Sequence, residues 1–230
     1  MLRGLTTTSS LRGPGRDEWS GASPGQEIGV EYFIYCRDKP GTEELREQFG
    51  EAHWSFMDQY AGAMIARGPT LTADRTKATG SMHIVELPDA GAARAFAFSE
   101  PYYRAGVFGE VLLRRWRNSL GRTMWDFRGD PAINRRYLVI GHGRPGVGST
   151  RDALVERQRR HLNEDAHHKH FIVRGPLLSD DGRDWVGSAM LVEFPGRAAV
   201  ETMLARAPFV EAGLYTNVEI LDWQFGGRSS

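Results

Sequence analysis

The stretch Tyr32-Phe33-Ile34-Tyr35-Cys36-Arg37-Asp38-Lys39-Pro40-Gly41 returns later in the chain as Tyr137-Leu138-Val139-Ile140-Gly141-His142-Gly143-Arg144-Pro145-Gly146, at an offset of 105 residues. Each is a short, β-rich apolar run closed by a Pro-Gly turn signal. Working outward, Arg67-Gly68-Pro69 pairs with Arg174-Gly175-Pro176, Gly80-Ser81 with Gly187-Ser188, Pro101-Tyr102 with Pro208-Phe209 and Trp116 with Trp223, all at an offset of 107. His53 pairs with His161 at 108. Many identities held in nearly one register are the mark of a duplicated module, with small length changes absorbed at loops and helix ends.

Each copy reads β-α-β-β-α-β. After the first strand (31–37, 136–141) a helix is expected over 43–60. Its apolar stripe is Leu45, Phe49, Ala52, Phe56 and Tyr60, at helical spacing. Glu43 and Glu44 suit the positive end of its dipole. A strand through Ala63–Arg67, a second from Ser81 to the Pro88 breaker, a helix over 89–98 and a last strand over 109–117 complete the split βαβ, ferredoxin-like order. Such a sheet carries helices on one face only and leaves the other to be covered. Two copies in one chain satisfy this internally. The expectation is an α+β fold of two ferredoxin-like βαββαβ modules packed sheet to sheet as an intrachain α+β barrel. The division is a disordered tail over 1–30, module one over 31–118, a linker over 119–135 and module two over 136–225. The tail is rich in Gly, Ser, Thr and Arg and lacks apolar periodicity. Met124-Trp125-Asp126-Phe127 is too apolar for a free linker and is expected to pack on a module.

Composition excludes several function classes. In 230 residues the 29 basic side chains equal the 29 acidic ones, so no basic field speaks for nucleic acid. No apolar run reaches the ~18 residues of a membrane span. One cysteine, Cys36, rules out an internal disulfide and reads as a small buried thiol. A cytoplasmic setting is the expectation. Glycine-rich nucleotide loops, a Gly-x-Ser-x-Gly elbow and Cys-x-x-Cys pairs are absent.

The repeated Tyr-Phe-Ile-Tyr-Cys-Arg-Asp-Lys-Pro-Gly stretch, the helical His, the Gly-Pro and Gly-Ser pairs, Pro-Tyr-x-x-Ala-Gly-Val-Phe and the closing Trp together resemble the YCII-related domain, over 31–118 and again over 136–225. The resemblance implies a ferredoxin-like fold with barrel association, a His/Asp site and no metal or organic cofactor. The family chemistry it implies includes removal of chloride from an aromatic-derived substrate, with lactone isomerases among structural relatives.

His53, on the apolar helix face, is the first candidate for chemistry, because a histidine held in a cleft can shuttle a proton near neutral pH. Asp38, after the first strand, is the candidate carboxylate to orient it. Its counterpart Gly143 has no side chain, so copy one is expected to hold the fuller site and copy two a degenerate one. Ser81, Ser188, Tyr102 and His161 are candidate substrate contacts. The cluster His167-His168-x-His170 raises metal binding, but a solvated helix terminus is the favoured reading, and no metal is expected. The function expected is a cofactor-free acid–base enzyme, a lyase or isomerase, acting on a small organic molecule, with cyclic compounds among the candidates. A non-catalytic binding or assembly protein and a cofactor-independent monooxygenase are the alternatives. The expected partners are a small-molecule substrate, no nucleic acid and no membrane, with the chain a monomeric pseudo-dimer or a homodimer.

Overall fold

The computed structural model describes residues 29–227, so the expected tail lies almost wholly outside the described residues. Module one comprises β1 (Val30–Asp38), α1 (Glu43–Gln48), α2 (Gly50–Asp58), β2 (Met64–Leu71), β3 (Ala78–Leu87), α3 (Ala90–Ser99), α4 (Pro101–Arg104) and β4 (Phe108–Trp116). Module two repeats the order with β5 (Arg135–Gly143), α5 (Gly148–Asn163), α6 (Asp165–His168), β6 (Phe171–Leu178), β7 (Trp185–Phe194), α7 (Arg197–Ala205), α8 (Pro208–Glu211) and β8 (Tyr215–Trp223). The eight strands close a barrel in the order β1-β3-β2-β8-β5-β7-β6-β4. Both sheets keep the ferredoxin-like order and meet face to face, as the repeat predicts.

Alternation along the strands divides the core. Phe33 and Tyr35 point into the barrel with Met82, Ile84, Leu138, Ile140, Leu191 and Trp223. Tyr32, Ile34 and Cys36 point outward under the helices of module one, against Met57, Phe96 and Tyr102. A first strand buried on both faces is why its sequence is continuously apolar rather than alternating. The two sheets join through short antiparallel seams. Thr70 pairs with Trp223 at one, and Trp116 with Leu177 at the other. These seams explain the duplicated Arg-Gly-Pro. A Cβ on Gly68 would stand 2.0 Å from Gln224 O, and one on Gly175 would stand 1.9 Å from Arg117 O. Only glycine lets the strand extension of the other module pass so closely.

The connecting segment is held down. Met124 and Phe127 enter the barrel core, while Trp125 stays exposed. The buried Glu193 carboxylate accepts from Asp130 N at 2.7 Å and Arg136 Nε at 2.8 Å. The helical stripe needs one correction: Ala52 is exposed, and the buried face of α2 is centred on His53 and Met57. Among the described residues no helix is long and apolar enough to cross a membrane.

Candidate functional site

The site of module one lies between the helix-facing surface of its sheet and helices α1, α2 and α4. Phe49 interrupts the first helix, yet the hydrogen bond from His53 N to Phe49 O at 2.9 Å keeps His53 in register on the inner face. There His53 is 4% exposed. Its Nδ1–H donates to Glu100 Oε1. Glu100 is the N-cap of α4, and its other oxygen accepts from Tyr103 N at 2.9 Å. The imidazole stacks on Tyr102 with ring centroids 4.2 Å apart and planes 14° from parallel. The Arg46 guanidinium lies over the same Tyr102 ring, 4.7 Å from its centroid. Beneath them His53, Ser81, His83, Arg46, Arg67 and Tyr102 line a cavity of about 150 Å³.

The carboxylate that holds His53 is therefore Glu100, not Asp38 as the sequence reading expects. Asp38 instead accepts two hydrogen bonds from Arg46 Nη1, at 2.8 and 3.0 Å, and Arg46 Nη2 donates to Ser81 Oγ at 2.8 Å. Asp38 thus fixes the arginine rather than the histidine, and Ser81 is engaged by that arginine. The missed signal is Ser99-Glu100-Pro101. Read from sequence, it is a helix stop. In the fold, the glutamate before proline caps a new turn and points its second oxygen at His53.

Burial governs the electrostatics of this cluster. His83 is completely enclosed beside His53, and burial first, then the charges of His53 and Arg67, hold it far below the usual imidazole range, hence neutral. Burial also raises the Tyr102 hydroxyl and pushes the Cys36 thiol up, so neither ionises near neutral pH. For Asp38, burial outweighs the Arg46 pair and lifts the carboxyl from its ordinary 3.8 to about 6. The folded state then holds that proton more tightly than the unfolded chain does. Its stabilising effect is full at low pH and is lost as pH rises from about 4 through about 6. Wild-type stability should accordingly fall relative to Asp38→Asn across that window. Urea unfolding of both proteins at about pH 4 and about pH 7 checks this, and a pH-independent difference would contradict it.

Module two carries a matching cavity of about 700 Å³. Helix α5, at 148–163, is the counterpart of 43–58 at an offset of 105; Arg151 N bonds Val147 O as Arg46 N bonds Thr42 O. His53 therefore corresponds to Gln158, and the pairing with His161 is a register error of one helical turn. Two extra residues lie after the helix, where the offset becomes 107. With these offsets, all ten residues lining the first cavity have counterparts lining the second. Gln158 caps Phe209 N through its side-chain oxygen at 3.1 Å. His161 is buried but does not line the cavity; its Nε2–H donates to Met203 O at 3.0 Å. Ser188 lines the cavity and accepts from the Tyr215 hydroxyl at 3.0 Å. The acid–base set is gone: His53, His83, Glu100 and Tyr102 give way to Gln158, Met190, Ala207 and Phe209. One further cluster stands apart. His161, Glu164 and His167 place ligand atoms within 4.8 Å of one another, a set able to hold a divalent ion.

The fold defines a class: single-chain α+β barrels built of two ferredoxin-like halves. The YCII-related domain profile matches residues 30–117 and 135–224, and the chain belongs to that family. The Escherichia coli protein YciI is similar at 30% identity over 93 residues, 37% of this chain and 95% of that protein. A dehydrochlorinase acting on 5-chloro-2-hydroxyhydroquinone, from Burkholderia phenoliruptrix, is 27% identical over 40% of this chain and 99% of its own, with a TM-score of 0.38. A chlorite dismutase variant from Candidatus Nitrospira defluvii, 13% identical with a TM-score of 0.57, covers 86% of this chain and 92% of its own, and shares the whole-barrel fold.

Proposed function

We propose that module one is a cofactor-free acid–base enzyme, a lyase or isomerase, acting on a small ring-bearing molecule. The observation that carries this reading is the buried His53–Glu100 pair at the wall of a small cavity. With Nδ1–H committed to the Glu100 carboxyl group, Nε2 is the nitrogen left to take a proton, and Glu100 is placed to stabilise the imidazolium that results. Tyr102 fixes the ring plane by stacking. A cavity of about 150 Å³ is the size that admits a single benzene ring. Arg46, braced by Asp38, and Arg67 supply positive charge where an enolate or phenolate oxygen would develop.

The step these groups support is removal of a proton from substrate carbon by His53 Nε2. The C–H electron pair then forms a new double bond. In a lyase, a leaving group on the neighbouring carbon departs with its own electron pair. In an isomerase, the proton returns to the far end of the delocalised anion. The test uses a panel of halogenated hydroquinones and cyclic enones, the first class chosen from the family chemistry. Halide release is followed by electrode, and deuterium uptake from D2O by NMR. At least one panel member should turn over or exchange with wild type. If none does at millimolar concentration, the reading fails.

A further inference from the structure

In module one each cavity arginine stands beside a carboxylate. Asp38 accepts from Arg46 at 2.8 Å, and Asp58 lies 3.7 Å from Arg67. Glu100 adds a further negative charge beside the same cavity, on His53. In module two both arginines are kept, as Arg151 and Arg174, whereas the three acids become Gly143, Asn163 and Ala207. Each of these replacements removes a negative charge. Arg117 and Arg159 add cations to the wall, and among the described residues no aspartate or glutamate lines the cavity.

The consequences are visible in the side chains. Arg174 is only 6% exposed and bonds just neutral acceptors, the Leu162 carbonyl at 2.8 Å and the Asn163 side chain. Burial, with Arg122 nearby, lowers it to about 10, the sign of a cation short of a counter-charge. Among the described residues Arg151 pairs with Asp152, next to it in sequence and exposed, and its Nε is buried with no hydrogen-bond partner, a feature it shares with Arg67 of module one. Trp185 Nε1, on another lining residue, is also buried and unpartnered. A buried cation is stable only when paired. Arginine forks match the two oxygens of a carboxylate. The remaining wall is apolar and aromatic, with Leu120, Leu162, Trp185, Met190 and Phe209. The volume, about 700 Å³, lies in the ordinary range for drug-sized ligands.

We infer that module two is a binding site for a ring-bearing organic carboxylate, which takes the place of the acids this half has lost. The site is independent of the chemistry proposed for module one.

Calorimetric titration with 2-naphthoate, its neutral methyl ester and inorganic phosphate tests the assignment on the full chain. Naphthoate should bind, with the ester and phosphate each at least about tenfold weaker. Asn163→Asp restores the lost acid beside Arg174 without changing side-chain size, and should weaken naphthoate about tenfold or more. Arg151→Gln should do the same. Val155→Trp, on the half-exposed side of α5, narrows the cavity while keeping every charge and should weaken naphthoate about tenfold or more. His53→Ala should leave naphthoate affinity unchanged. Absence of naphthoate binding at millimolar concentration would overturn the inference. So would equal binding of the ester, or affinity that survives Asn163→Asp and Val155→Trp in folded protein.

Discussion

Replacing His53 by alanine is expected to lower turnover by about 100- to 10,000-fold, the usual worth of a positioned general base or acid. The loss should fall on kcat rather than KM, because the small cavity keeps Arg46, Arg67 and Tyr102. Glu100→Gln separates proton chemistry from packing. The amide keeps the shape and one acceptor oxygen for Tyr103 N, but loses the charge that stabilises protonated His53. Turnover should drop and the acidic limb of the kcat/KM profile should move to lower pH; a purely structural role would leave the limb in place. His161→Ala should leave turnover intact, since that histidine bonds Met203 O outside both cavities. Circular dichroism confirms folding of each variant. A folded His53→Ala protein that retains full activity would remove module one as the active half.

Trp223→Ala should destabilise the chain by about 3–5 kcal/mol, the range for deleting a large buried aromatic. For a protein of this size that is a fall in Tm of roughly 6–20 °C. Trp223 is fully buried in the shared barrel core and pairs with Thr70 across the seam. Because residues of both modules build that core, the variant should still unfold in one calorimetric transition. Two transitions, with only the module-two one lowered, would show that the halves are stable separately and that the seam matters little.

Much of the architecture is present in the local pattern. The doubled strand-turn stretch, the offset of the Gly-Pro, Gly-Ser and Pro-aromatic pairs and the closing tryptophans are enough to derive two modules, their element order and their face-to-face closure. These depend on short-range periodicity and on the rule that an apolar sheet face must be covered. His53 is legible for the same reason: it is a titratable group on an otherwise apolar helix face. Its partner is not. Asp38 and Glu100 both lie far from His53 in sequence, and nothing local distinguishes them. The choice falls to Glu100 because α4 starts on it under α2, while the end of β1 carries Asp38 to α1 and Arg46.

Register inside the second module was likewise beyond sequence alone. A histidine-to-histidine match at an offset of 108 outweighs, by identity, the true match to Gln158 at 105. Only the helix start at Gly148 and the shared cavity show which residue occupies the place of His53. The sequence by itself thus determines the repeat, the fold and the loss of the Asp38 carboxylate from the second half. The tertiary structure alone decides which acid meets which base, because that pairing is set by where separate helices land on the sheet and not by any local propensity.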